Sequence, residues 1–267
     1  MHPPRWLLYL GGAGALLGLV VAVPMIGNRP ERTVPLGQPL PRASLLDPAV
    51  WVSAPPPGPG AGTAFSVAER GVWLTARHVV EGCGRTVIVT APGRGVAAEV
   101  RLTPGRETAV LLTAGGAPAL PVAADPVLRQ GQRAFHPGFP RQKPGEAASR
   151  LLRRARLWVG WRGLRAEPVL SFAETARAPA WRGSLEGLSG APVLDSHGEV
   201  LGVTVAENPR RRRLYATTPG SLRAALATVG VNPSARIGRP LDDADWPGAA
   251  DRLRAALSVA EVECLKA

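Results

Sequence analysis

Residues 183–206 read "GSLEGLSGAPVLDSHGEVLGVTVA", and this segment is the most informative part of the sequence. Ser189 lies in a glycine-rich loop, and two apolar runs follow it, joined by a hairpin turn at Gly198. Such a serine is either the polar residue of a tight turn or a nucleophile. Only a nucleophile needs a histidine base, an acid and backbone N–H donors. The rest of the sequence distinguishes the two hypotheses.

Length and composition indicate a globular protein. The chain has 267 residues with 45% hydrophobic content, enough to bury a sizeable core as one large domain or two small ones. Its net charge of +12 comes almost wholly from arginine, because Lys143 and Lys266 are the only lysines. The basic residues are spread along the chain without a nucleic-acid-binding motif, so we interpret the charge as compositional bias and expect no nucleic-acid partner. We also expect no metal or other cofactor, since Cys and His are too few and too widely spaced.

The N-terminus contains an uncharged apolar run from Trp6 to Gly27, preceded by Arg5. A run of this length can span a bilayer. We interpret residues 1–28 as an uncleaved membrane anchor, with the remainder on the extracytoplasmic side, which is periplasmic in a Gram-negative cell. The alternative is a cleaved signal peptide and a secreted chain, but "VAVPMIG" is a poor cleavage site.

The remaining chain divides by composition into three parts. Residues 29–61 are proline-rich and predict a linker. Residues 62–230 contain short apolar runs broken by glycine, proline and arginine, which predict an all-β body. Residues 231–267 predict a second linker and a C-terminal helix, because "AADRLRAALSVAEVECL" repeats apolar residues at helical spacing.

One histidine is suited to serve as a base. His2 precedes the apolar run, His136 lies in the turn-like "HPGFP", and His197 lies in the hairpin turn. His78 follows the strand-like "GVWLTA", which would hold its imidazole at the edge of a sheet.

These segments together resemble a known family. "GTAFSV", "GVWLTARHVVEGC", "ETAVLL" and residues 183–206 resemble the conserved blocks of trypsin-like serine proteases of the bacterial type, and are most similar to HtrA-like envelope peptidases. The resemblance covers about residues 60–230. It implies an endopeptidase for protein or peptide substrates, folded as a double six-stranded β-barrel with the active site between the barrels. Fewer than forty residues follow Gly230, so we expect no PDZ domain.

The resemblance also assigns roles. Ser189 is the nucleophile and His78 the general base, and the N–H groups of Gly187 and Ser189 form the oxyanion hole. The acid position holds Glu107 where the family has aspartate. The extra methylene moves the carboxylate by about 1 Å, and such a displacement can cost on the order of a hundredfold in rate. The alternative hypothesis is therefore a catalytically impaired protease-fold protein that binds or scaffolds in the cell envelope.

The substrate pocket maps by resemblance to Gly183 and to Val205 and Ala206 in "GVTVA". None of these is acidic, which predicts cleavage beside small or apolar side chains rather than arginine or lysine. The arginine run Arg210–Arg213 follows in a loop beside the cleft. This loop is either a solvated hairpin or a surface that attracts acidic protein segments or anionic envelope surfaces.

The two cysteines, Cys83 and Cys264, suit either one disulfide in an oxidising compartment or two unrelated buried thiols. A disulfide would join the C-terminal helix to the turn after His78 and stabilise the fold by about 4–5 kcal/mol through chain entropy. The sequence carries no signal for an oligomeric state.

Overall fold

The computed structural model describes residues 37–52, 58–159, 166–180, 182–232 and 238–266. Its strands are β1 (Ala49–Val52), β2 (Gly60–Ala68), β3 (Val72–Ala76), β4 (Arg85–Ala91), β5 (Arg94–Leu102), β6 (Thr108–Leu112), β7 (Arg133–Gly138), β8 (Gly145–Val159), β9 (Glu167–Ala178), β10 (Pro192–Leu194), β11 (Val200–Asn208), β12 (Arg213–Thr217) and β13 (Val259–Leu265). Its helices are α1 (Arg77–Val80), α2 (Pro219–Ala227) and α3 (Trp246–Ala255), with 3₁₀ turns at Pro140–Gln142 and Pro209–Arg211.

The predicted anchor at residues 1–28 lies outside the described residues. Among the residues that are described, no helix is long and apolar enough to cross a membrane.

The first barrel closes in the order β13-β2-β3-β6-β5-β4, with every pair antiparallel. Its central strand β3 reads "VWLTA" and is buried along its whole length, as expected for a strand covered on both faces. Phe65, Leu74 and Leu111 are fully buried in the hydrophobic core that packs on both faces of these strands. This packing fixes the ends of β3 and β6, where two of the predicted site residues lie.

The second barrel is formed by β8-β7-β10-β11-β12-β9 and is closed by the pairing of β8 with β9. Leu151, Phe172 and Leu214 lie in its interior. The predicted all-β double six-stranded barrel is therefore confirmed.

The predicted C-terminal helix is present as α3 but is shorter than predicted. It ends at Ala255, and Leu257, with φ of 58°, redirects the chain into β13. The residues of β13 mostly alternate between fully and half-buried positions, the period of a strand rather than a helix. This strand pairs with β2 and β4, so the first barrel includes residues far beyond Gly230.

Part of the predicted linker at residues 29–61 packs against the second barrel. The amide of Gly37 donates to Gln130 O at 2.9 Å, and β1 pairs in parallel with β8. The indole of Trp51 stacks on Trp158 with ring centroids 5.0 Å apart. Residues 37–52 of this segment are therefore packed against the protein, not an open tether.

Cys83 and Cys264 form a disulfide, with their Cα atoms 5.2 Å apart. The bond joins the turn after α1 to β13, so the partner of that turn is a strand rather than the predicted helix. It connects positions 181 residues apart in the sequence.

Candidate active site

His78 lies on α1, a single helical turn that follows β3. Val79 and Val80 on the same turn are buried in the core, which fixes the orientation of the turn. The amide of Arg77 donates to Glu107 O at 2.7 Å, so α1 is also attached to the segment before β6. The side chain of His78 is 14% exposed, which leaves part of the imidazole accessible.

Glu107 immediately precedes β6, and its carboxylate reaches the histidine. Its Oε2 atom lies 3.1 Å from His78 Nδ1. The carboxylate is buried, with 6% of its side chain exposed. A neutral imidazole with this partner carries its proton on Nδ1, which leaves Nε2 as the proton acceptor.

Glu167 is a site residue that the sequence reasoning missed. It begins β9 in the second barrel, and its Oε2 atom accepts the backbone N–H of Glu107 at 2.5 Å. Its Oε1 atom accepts the hydroxyl of Ser221 at 2.7 Å. Only 5% of Glu167 is exposed. The carboxylate of Glu167, in the second barrel, thus holds the backbone of Glu107, in the first barrel.

Ser189 lies in the loop before β10. Backbone hydrogen bonds within the loop and to β11 and β2 hold this loop in place. The amide of Leu188 donates to Leu185 O at 2.8 Å, and that of Gly190 donates to Thr204 O at 2.8 Å. The carbonyl of Ser189 accepts the amide of Thr63 in β2 at 2.8 Å. Gly190 has φ of 92°, and a Cβ there would collide with the Thr63 carbonyl, so glycine is required.

The backbone around Gly187 is suited to bind an anion. The carbonyl of Glu186 accepts the amide of Arg141 at 2.5 Å, and that of Gly187 accepts the hydroxyl of Thr63 at 2.9 Å. Both carbonyls are therefore engaged by protein groups. Within the described ranges, the N–H groups of Gly187 and Ser189 donate no hydrogen bond, so both remain available to an oxyanion.

Gly62 in β2 separates the helix of the histidine from the loop of the serine. A Cβ at Gly62 would lie 2.7 Å from a methyl group of Val79 and 2.9 Å from Ser189 O. The turn that carries His78 and the Ser189 loop therefore approach each other across this glycine. The structure therefore brings His78 into contact with Glu107, and the Ser189 loop packs on the β2 residue that also contacts the turn of His78.

The three predicted pocket residues do not all line one cavity. Gly183 borders a cavity of about 380 Å³, whereas Val205 is buried and neither it nor half-buried Ala206 lines this cavity. Charged side chains also line this cavity. In the part of the chain that the structure describes, no cluster of His, Cys, Asp and Glu is suited to hold a metal ion.

His136 lies inside strand β7, so its predicted placement in a turn was wrong. It is completely buried, with Nδ1 2.9 Å from Thr204 Oγ1 and Nε2 2.8 Å from Ser149 Oγ. Burial lowers the pKa of His136 to about 3, against the opposing charge of Glu174. The imidazole is therefore neutral and structural.

The sequence and the fold both resemble known proteases. The family model described as "Trypsin-like peptidase domain" matches residues 62–203. The inactive form of the Rv3671c protease of M. tuberculosis is 25% identical, with a TM-score of 0.51, over 64% of this chain and 84% of that chain. The active form of the same protease is 22% identical, with a TM-score of 0.51, and the match covers 76% of this chain and 97% of that protein. The HtrA-type protease AlgW with a decapeptide is 19% identical, with a TM-score of 0.52, and the match covers 63% of this chain and 51% of that protein. No protein of curated function matches this chain.

Proposed function

The chain belongs to the trypsin-like peptidase family, and from this premise we propose that it is a serine endopeptidase that uses Ser189, His78 and Glu107. The proposal is carried by one observation, the 3.1 Å contact between Glu107 Oε2 and His78 Nδ1 beside the Ser189 loop. The longer side chain of glutamate reaches the imidazole in this structure.

The proposed reaction uses each group once in acylation. Ser189 Oγ attacks the substrate carbonyl while His78 Nε2 accepts the hydroxyl proton, and the N–H groups of Gly187 and Ser189 bind the oxyanion. Glu107 stabilises the resulting imidazolium. His78 then donates the proton to the leaving amine, and water hydrolyses the acyl-enzyme by the same route in reverse.

The alternative, a protease-fold protein that binds or scaffolds without efficient catalysis, requires a defective acid. The contact of Glu107 with His78 and the two available N–H groups argue against that alternative.

Active-site labelling tests the nucleophile. A fluorophosphonate probe should label the wild-type protein, which should also hydrolyse an unstructured protein substrate. Ser189→Ala should do neither, whereas Ser196→Ala, which alters an exposed serine in the nearby hairpin, should behave as wild type. Equal labelling of wild type and Ser189→Ala would refute the enzyme hypothesis.

The acid is tested by two substitutions at one position. Glu107→Asp should retain hydrolysis. Glu107→Gln should lower kcat by up to about ten-thousandfold, the loss typical when the acid of a Ser-His-Asp triad is replaced by its amide. The reason is that the imidazolium loses its charged partner. Glu99→Gln, at an exposed position of β5, is the matched control, and thermal melts verify folding. Equal rates for wild type and Glu107→Gln would show that the acid is another residue.

We also propose a membrane-tethered, extracytoplasmic location. The uncharged run from Trp6 to Gly27 and the disulfide, a bond typical of oxidising compartments, support it. The full-length protein should remain in the membrane fraction after alkaline washing. Recovery of a soluble chain that begins near Asn28 would show cleavage instead.

A further inference from the structure

A charged cavity adjoins the nucleophile loop. It has a volume of about 380 Å³ and includes Gly183, six residues before Ser189. Its other lining residues are Glu174, Arg177, Ala180, Arg182, Pro209 and Arg212. We call this cavity the arginine pocket. Three arginines and one glutamate line it, so its walls carry an excess of positive charge.

The single carboxylate of the arginine pocket is already neutralised. Glu174 accepts two hydrogen bonds from Arg177, at 2.7 and 2.8 Å, and one from Arg212 at 3.1 Å. Burial alone would raise the pKa of Glu174, but the hydrogen bonds and charges of the two arginines lower it. Glu174 is therefore ionised at neutral pH, and it holds Arg177 and Arg212 in place as cations.

The groups around the arginine pocket do not reverse this charge. Glu207 lies nearby, with its Oε1 atom accepting from Ser184 Oγ and from the amide of Leu185 at 2.8 Å, but it does not line the pocket. Arg141 adds another cation at the rim, since its Nη2 atom donates to Arg182 O at 3.0 Å. The region beside Gly183 therefore favours an anion.

The arginines differ in how firmly they are held. Arg177 is largely buried, with 10% of its side chain exposed, and its Nη1 atom donates to Gly183 O at 2.6 Å. Arg212 has 58% of its side chain exposed, and Arg182 is also exposed. The two exposed guanidinium groups are those that an entering ligand would meet first.

We propose that the arginine pocket receives the acidic side chain of a peptide substrate, an aspartate or glutamate that precedes the scissile bond. A guanidinium group can donate two parallel hydrogen bonds to a carboxylate, a geometry that an amide or an alkyl side chain does not reproduce. This inference rests on the proposed endopeptidase function, since it names the substrate class of the same site. It replaces the earlier expectation of small or apolar side chains.

Paired peptides test the inference through catalysis. The peptides differ only in carrying glutamate or glutamine before the scissile bond. Wild type should cleave the glutamate peptide with a kcat/KM at least about tenfold higher. Arg182→Gln and Arg212→Gln should each lower this ratio several-fold, and added salt should lower it for wild type. Arg210→Gln is the matched control, because Arg210 lies in the same loop as Arg212 but does not line the pocket.

Binding separates failure of this inference from failure of the proposed function. Fluorescence polarisation measures both labelled peptides on Ser189→Ala, which needs no catalysis. Tighter binding of the glutamate peptide, weakened by Arg182→Gln or Arg212→Gln, supports the pocket even if wild type hydrolyses nothing. Equal affinity for the two peptides, or a preference that neither variant reduces, would overturn the pocket. If wild type hydrolyses an unstructured protein but shows no preference for acidic residues before the scissile bond, the endopeptidase function is supported and the proposed role of the arginine pocket is rejected.

Discussion

The two barrels contain the same number of strands but are assembled differently. The six strands of the second barrel follow one another between residues 133 and 217. The first barrel takes five strands from residues 60–112 and its sixth, β13, from residues 259–265. The disulfide lies on that distant strand. In this chain the barrel that is closed by a strand remote in sequence is the one that carries the disulfide.

The two barrels also differ in the partners of their histidines. His78 of the first barrel, with 14% of its side chain exposed, contacts the carboxylate of Glu107. His136 of the second barrel lies between two hydroxyl groups and remains neutral. The two imidazoles therefore differ in partner, a carboxylate at His78 and two hydroxyl groups at His136.

The largest expected effect concerns the disulfide. Replacing Cys83 and Cys264 together by serine should lower the free energy of unfolding by up to about 5 kcal/mol, because the unfolded chain loses a constraint on a long loop. Urea denaturation of the wild type and the double variant measures this difference. Hydrogen exchange should show that β2, β4 and β13 lose protection before the second barrel does.

Reduction supplies the control for the disulfide prediction. Dithiothreitol should destabilise the wild type and leave the double variant unchanged. Equal loss of protection in both barrels would contradict the distinction between them.

The next effect concerns His136 and pH. Because burial lowers the pKa of His136 to about 3, the unfolded chain binds a proton below pH 6.5 that the folded protein does not. This histidine therefore destabilises the folded protein increasingly as the pH falls from 6.5 toward 3, by about 1.4 kcal/mol per pH unit.

A substitution isolates this contribution. His136→Gln should have a lower free energy of unfolding than wild type at pH 7. This difference between the two proteins should shrink as the pH falls. The measurement is the free energy of unfolding from pH 7 to 4, with His197→Gln as the exposed control. A gap independent of pH would show that His136 is not the group that titrates.

Glu167 joins the two barrels, and its loss should have a smaller effect on activity. In Glu167→Gln one of the two accepted hydrogen bonds is lost, so the backbone of Glu107 is held less firmly. We expect kcat to fall roughly tenfold.

A double-mutant cycle distinguishes positioning from general destabilisation. Glu167→Gln should cost little further activity in a Glu107→Gln background, because the acid it positions is already absent. Equal losses in both backgrounds would mean that Glu167 acts independently of Glu107.

The smallest expected effect lies on β13. Burial and, secondarily, the neighbouring Glu263 raise the pKa of Glu261, so its charged form disfavours the folded state above that pKa. Glu261→Gln should raise Tm by roughly 1–2 °C at pH 7.5, and the gain should vanish below about pH 4. Glu99→Gln should change Tm little at either pH, since its exposed ion pair with Arg101 contributes little. A lower Tm for Glu261→Gln would contradict this account.

The sequence predicted an all-β body because buried strands such as β3 appear as continuous apolar runs between turn residues, and the resemblance to trypsin-like proteases predicted its two barrels. It also singled out His78 and Ser189 as candidates, because the motifs, order and spacing of their segments agree, and Glu107 as the acid that departs from the family pattern. It missed β13 because the helical pattern before Leu257 runs directly into the alternating "VAEVECL". The alanine, valine and leucine residues of this segment fit both the helical and the strand spacing of apolar residues. Composition therefore could not show where the helix ends and the strand begins.

Glu167 and the arginine pocket were missed for a different reason. Glu167 lies 60 residues from Glu107, and a lone glutamate at the start of an apolar run belongs to no motif. The partners of Glu174 are likewise set by the pairing of β9 with β12, which brings Arg212 close to it. Long-range contacts of this kind depend on strand register, which local sequence does not display.

The position of β13 also has a consequence during synthesis. This strand leaves the ribosome after the whole second barrel has been made, since the chain is synthesised from its N-terminus. Until then β2 and β4 each lack a neighbouring strand, and the thiol of Cys83 has no partner to oxidise with. The turn that carries His78 therefore acquires its final support only after translation has passed the loop of Ser189.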